Sequence, residues 1–171
     1  MQLELTVGDI TTLAMDAIVN AANSSLLGGE GVDGAIHRAA GPELLAECRE
    51  IRRTQYPDGL PVGQAVLTKG YKLPAKYVIH TVGPVYGKDE NPARLLADAY
   101  MNSLNVAEQY KLQSIAFPAI STGVFGYPIK EAAQVVKQVM AEYAFQSLKR
   151  IVLCFYSPAD KAIAERVLVH G

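Results

Sequence analysis

Short apolar runs rich in Val and Ile alternate along this chain with longer segments whose apolar positions recur at helical spacing. The runs predict strands at Gln2 to Val7, Ala17 to Asn20, Gln64 to Thr68, Tyr77 to Thr81, Ser114 to Phe117 and Arg150 to Tyr156. The later runs are almost wholly apolar, as buried strands are. Between them, Asn91-Pro92 supplies an N-cap and a first-turn proline ahead of Leu95, Leu96, Ala99, Leu104 and Ala107. Pro128 opens a second helix carrying Ile129, Ala132, Val136, Val139 and Tyr143, and Pro42 opens another through Leu45, Cys48 and Ile51. A last helix is expected from about Ala159 to Leu168, and Gln55 to Pro61 reads as a surface loop by its turn residues. Strands alternating with helices predict an α/β sandwich on a six-stranded sheet.

Length and charge narrow the class. The chain has 171 residues, half of them hydrophobic, enough for one compact domain spanning 1–171 without covalent staples. Sixteen basic residues against seventeen acidic ones give a net charge of -1, which argues against a general nucleic-acid binder. Cys48 and Cys154 have no partner at CxxC spacing and read as reduced core thiols. The chain starts directly in an alternating strand, with neither a basic leader nor a membrane-spanning run, so a cytoplasmic location and no membrane partner are expected.

Candidate chemistry gathers in two loops, each directly after a predicted strand, where open α/β sheets bind ligands. The first runs from Asn20 to Gly34 and holds Gly28, Gly29 and Gly31, which free the backbone for close approach by a phosphate or sugar. Asn20, Asn23 and Asp33 add donors and acceptors suited to ribose hydroxyls and a nearby water. The second, Ser121 to Tyr127, joins a strand to a helix N-terminus, where unpaired N–H groups and the positive dipole end make an anion site fit for a diphosphate. Neither the lysine of a nucleotide-hydrolysing phosphate loop nor the GxGxxG spacing is present. A third element, Gly8-Asp9-Ile10-Thr11, offers a carboxylate to an adenine amino group or a cap to the next turn.

Other readings of the same residues are structural. Asp33 also fits the N-cap of a helix through Ile36 and Ala40. His37, one turn after Asp33, can pair with it structurally, His80 reads as a satisfied core histidine, and His170 falls in the C-terminal tail. Tyr71, Tyr77, Tyr86 and Tyr100 are scattered, not aligned for base stacking. No metal site and no cofactor are implied.

In this order, Gly8-Asp9-Ile10-Thr11, Asn20-Ala21-Ala22-Asn23, Gly31-Val32-Asp33-Gly34-Ala35-Ile36-His37-Arg38-Ala39-Ala40-Gly41 and Pro118-Ala119-Ile120-Ser121-Thr122-Gly123-Val124-Phe125-Gly126 span nearly the whole chain. The sequence resembles the macrodomain family, and within it the MacroD-type hydrolases and bacterial O-acetyl-ADP-ribose deacetylases. The resemblance implies a three-layer α/β/α sandwich with a mixed, mostly parallel six-stranded sheet, and a pocket for ADP-ribose and its O-acyl or protein-linked derivatives. It implies that Asp9 holds the adenine amino group, that Ile10 lines the adenine pocket, and that Gly31 and Val32 contact the ligand. Ser121, Thr122, Gly123, Val124, Phe125 and Gly126 would wrap the diphosphate, with Phe125 beside the distal ribose. Asn23 and Asp33 would be catalytic, Asn23 orienting that ribose and Asp33 positioning or deprotonating a water. At a helix start, Asp33 is expected to be held ionised by the dipole and nearby N–H groups, and so to be a weak base that orients water while a substrate phosphate helps activate it.

One departure stands out, because relatives of this subclass carry four consecutive glycines where this chain has Glu30 in the third place. An inward carboxylate would repel a diphosphate, and an outward one would change little; the exposed loop predicts the outward orientation. Three functions stay open: a hydrolase of O-acetyl-ADP-ribose and of mono-ADP-ribosylated carboxylates, a non-catalytic ADP-ribose-binding module, and a regulatory protein acting through a protein partner.

Overall fold

The computed structural model describes residues 1–169, so His170 lies outside the described residues. Six strands, β1 (Gln2–Val7), β2 (Ala17–Ala21), β3 (Ala65–Lys69), β4 (Tyr77–Thr81), β5 (Ser114–Pro118) and β6 (Arg150–Phe155), form one sheet in the order β1-β6-β5-β2-β4-β3. Only the β3–β4 pair is antiparallel. Five helices accompany it: α1 (Gly31–Ala40), α2 (Pro42–Thr54), α3 (Pro92–Gln109), α4 (Ile129–Glu142) and α5 (Pro158–Leu168).

The period-2 pleat divides the core into two layers. Ile18, Val78, Ala116, Val152 and Cys154 face one way and pack with Ile36 and Ala40 of α1 and Leu44, Cys48 and Ile51 of α2. Their strand neighbours Val19, Ile79, Ile115, Phe117, Ile151 and Leu153 face the other way, onto Leu96, Tyr100 and Leu104 of α3, Val136 and Val139 of α4 and Ala164 of α5. The expected α/β/α sandwich on a mixed sheet is what forms. Both cysteines are free and buried in the first layer, as expected of core thiols. No described helix is long and apolar enough to cross a membrane.

Some local expectations fail for physical reasons. Asn91 precedes α3 in the left-handed region (φ 50°, ψ 56°) and its side chain makes no cap, so Pro92 alone marks that helix start. Pro128 stands just ahead of α4, and Tyr143 just beyond it. The Gln55 to Pro61 segment is not merely surface: Leu60 is fully buried, and its N–H donates to the Ser24 carbonyl at 2.8 Å, which braces the glycine loop.

Topology places the site. β2 lies at the centre, flanked by β5 and β4, because the chain runs from β2 to one side of the sheet and later crosses back to the other. The loops after the parallel neighbours β2 and β5 therefore open at the same carboxyl edge, at the point where strand order reverses.

Candidate functional site

Asp33 lies in the first turn of α1, whose N-cap is Glu30, so Asp33 is not the cap that one reading allowed. Ile18 and Asn20 share a sheet face, and that face meets α1; the fully buried Asn20 donates through Nδ2 to Asp33 Oδ1 at 2.8 Å. His37 Nε2 stands 3.4 Å from the same oxygen, the pairing that one helical turn permits. Asp33 itself is 3% exposed, and its Oδ2 accepts no hydrogen bond among the described residues.

This burial corrects the electrostatic expectation. Loss of hydration raises the Asp33 pKa above the ordinary carboxylate value, against the opposing effects of the Asn20 hydrogen bond and the His37 charge. The helix start alone would have lowered it. Desolvation is the larger effect, because the carboxyl is sealed between β2 and α1, and Asp33 becomes a stronger base than its sequence position suggests.

Asn23 sits across the glycine loop from Asp33. Its Nδ2 donates to the Gly28 carbonyl at 3.2 Å, which turns the amide to a defined face. Gly29 separates the two side chains: a methyl group there would lie 2.4 Å from Asn23 Nδ2 and 3.0 Å from Asp33 Oδ2. Absence of a side chain at Gly29 therefore lets both polar groups approach one point. Gly31 opens α1 with φ at 60°, a conformation that favours glycine, and Val32 follows half-buried. Glu30 is exposed and makes no cap hydrogen bond, in keeping with the outward orientation expected of it.

The second loop is held by its own backbone. Gly126 N–H donates to the Gly123 carbonyl at 3.0 Å and Tyr127 N–H to the Ser121 carbonyl at 2.9 Å. The amides of Gly123, Val124 and Phe125 make no hydrogen bond to another backbone group among the described residues, and they stand ahead of the 14-residue helix α4. That is an anion cradle. Ser121 adopts φ 67° and buries Oγ without a partner, pressed against Gly83, where a methyl group would fall 2.2 Å from that oxygen. Thr122 anchors the turn by donating to the Ala119 carbonyl at 2.8 Å. Asn23 from the first loop and Phe125 from the second line one open cleft with Val82, Gly83 and Lys88.

At the far end, Asp9 is the cap that one reading of the sequence allowed. Its Oδ1 accepts from Thr11 N and Thr11 Oγ1, which caps a short turn and lowers its pKa, the side-chain bond contributing most. Its other oxygen stays available to a ligand, and Ile10 is buried beside it. Gly8 N–H donates to the Phe155 carbonyl at 3.1 Å, so Tyr156, 96% exposed, belongs to this end of the edge.

Sequence reasoning grouped Asn20 with Asn23 and Asp33 as polar groups of the first loop without giving it a partner, set His37 aside, and read Tyr156 only as the end of the last strand, which stops at Phe155.

A buried carboxylate facing a glycine loop, with an anion cradle on the neighbouring strand, defines a pocket for an elongated phosphorylated ligand on an α/β sandwich. The Macro domain family model matches residues 19–136, and the chain belongs to that family. It is 54% identical over 164 residues to an O-acetyl-ADP-ribose deacetylase of Citrobacter rodentium, covering 94% of this chain and 92% of that protein. To the enzyme of the same name from Klebsiella pneumoniae it is 52% identical over 171 residues, with 98% and 97% covered. The structure superposes on the Oceanobacillus iheyensis macrodomain with ADP at a TM-score of 0.92 and 45% identity, covering 96% of this chain and 88% of that one. The Trypanosoma brucei macrodomain in complex with ADP-ribose follows at 0.84 and 40% identity, with 96% and 68% covered.

Proposed function

We propose that this protein binds ADP-ribose and hydrolyses substituents on its distal ribose, both the acetyl ester of O-acetyl-ADP-ribose and the bond to Asp or Glu side chains of mono-ADP-ribosylated proteins. The observation that carries this reading is the buried Asp33 Oδ2, with its raised pKa and no partner among the described residues, set across Gly29 from Asn23, which lines the cleft. Asp9 and Ile10 take the adenine end, with Tyr156 as a face on which the purine can stack. The amides of Gly123 to Phe125 take the diphosphate, the first turn of α1 at Gly31 and Val32 adds N–H groups, and Phe125 packs beside the distal ribose.

In the deacetylation, Asp33 Oδ2 accepts a proton from water as the water oxygen bonds to the ester carbonyl carbon. Collapse of the tetrahedral intermediate breaks the bond to the ribose oxygen, which takes up a proton, leaving acetate and ADP-ribose. For a carboxylate-linked protein adduct the same water attacks the anomeric carbon, and the protein carboxylate leaves. Asn23 holds the ribose hydroxyls in line in both cases.

The test is acetate release from O-acetyl-ADP-ribose, run beside calorimetric ADP-ribose binding. Asp33→Ala should cut turnover by about two orders of magnitude or more while ADP-ribose affinity stays within severalfold. Asp9→Ala should weaken affinity first. A protein that binds ADP-ribose and releases no acetate is a binding module, and the hydrolase reading is then wrong.

A further inference from the structure

Behind the site runs a buried hydrogen-bond chain that the proposed chemistry does not use. Asn20 of β2 and His80 of β4 are register partners on adjacent parallel strands, and both are buried. The Asn20 Nδ2 lies 2.8 Å from Asp33 Oδ1 and 3.1 Å from His80 Nδ1. An amide nitrogen has two hydrogens to give and nothing to accept with, so both neighbours must accept. His80 Nδ1 therefore bears a lone pair, and the ring proton sits on Nε2, 2.9 Å from Thr68 Oγ1. The Thr68 hydroxyl donates in turn to the Lys69 carbonyl at 3.2 Å. Each link then has one donor and one acceptor.

The opposite tautomer breaks this order. A proton on Nδ1 would face the amide hydrogens, and turning the amide over would set its carbonyl oxygen where Nδ2 now stands, 2.8 Å from the Asp33 carboxylate. Ring protonation is suppressed, since burial, helped by the His37 charge, pushes the His80 pKa down to about 3. Cys48 Sγ, 3.9 Å from Nε2, stays a thiol because burial pushes its pKa up to about 12, and Thr68 is the nearer partner.

We propose that His80 is a positioning residue of the hydrolytic site: its Nδ1 lone pair locks the Asn20 amide with the NH2 group on Asp33, and so holds the carboxylate with Oδ2 turned toward the glycine loop. At 1% exposure His80 reaches no substrate and acts only through Asn20. The inference rests on the reading of Asp33 as the group that handles water.

Two measurements test it. Nitrogen-resolved imidazole spectra of the whole protein at neutral pH should place the His80 proton on Nε2; a proton on Nδ1 overturns the proposal. Steady-state kinetics on O-acetyl-ADP-ribose then compare His80→Asn, whose Oδ1 can stand where Nδ1 stood, with His80→Leu, which offers no acceptor. His80→Leu should lose about tenfold or more in kcat with KM and ADP-ribose Kd within about threefold, while His80→Asn should keep kcat within about threefold of the parent. Unchanged kcat in His80→Leu, or equal damage in both variants, refutes the positioning role. Should His80→Leu fail to fold, Thr68→Val removes the Nε2–H acceptor at nearly constant shape. It lowers kcat severalfold at unchanged KM if the chain matters and leaves kcat alone if it does not. A parent protein that releases no acetate refutes the hydrolase reading instead, because the ring-proton position is read without turnover.

Discussion

Replacing Gly29 with alanine adds one methyl group between the side chains of Asn23, which lines the cleft, and Asp33 behind it. The new carbon would stand 2.4 Å from Asn23 Nδ2, 3.6 Å from Asn23 Cγ and 3.0 Å from Asp33 Oδ2. Ordinary contact begins nearer 3.4 Å, so the Asn23 amide must retreat by about 1 Å. Asn23 is exposed and free to move, whereas Asp33 is packed under α1, so Asn23 yields. Its movement breaks the 3.2 Å bond to the Gly28 carbonyl, a loss of about 1 kcal/mol. Misplacing a positioning group by about 1 Å costs on the order of 100-fold in rate. Stability should barely change, because Gly29 is exposed, does not occupy the left-handed region, and gains from a stiffer unfolded chain by about 0.4–1 kcal/mol. The assay pairs acetate release from O-acetyl-ADP-ribose with thermal unfolding. A Gly29→Ala protein with parental kcat would show that Asn23 and Asp33 do not act together at this point.

Two further outcomes follow from the same geometry. Glu30→Gly should leave ADP-ribose affinity unchanged, since the carboxylate is exposed; a tenfold fall in calorimetric Kd, about 1.4 kcal/mol, would mean that the charge turns inward. Asp33→Asn should abolish most turnover yet raise Tm at neutral pH. Folding raises the Asp33 pKa, so the folded state binds that proton more tightly, and ionised Asp33 opposes folding at pH above the raised value. The gain should shrink as pH falls toward the ordinary carboxylate range, where Asp33 is protonated in both states; a gain independent of pH would contradict the burial argument.

The sequence by itself determined most of the elements and the two loops. Apolar runs mark strands because a strand buried on both faces needs apolar side chains at every position, as in Ile151 to Phe155. Prolines mark helix starts because a first-turn residue needs no N–H donor, as at Pro42 and Pro92. The motifs placed Asp9, the glycine loop and the segment from Ser121 to Gly126 at strand ends, and the structure brings Asn23 and Phe125 to one cleft.

Only the tertiary structure decided the electrostatics. Asp33 at a helix start looks ionised and weakly basic until β2 and the glycine loop close over it, and desolvation then outweighs the dipole. Asn20 and His80 are 60 residues apart, and only the register of β2 with β4 sets them side by side; Thr68 reaches the same ring because β3 runs antiparallel to β4. Periodicity along one strand says which face a residue takes. What it meets there depends on the pairing of strands distant in sequence, and that pairing built the hydrogen-bond chain behind Asp33.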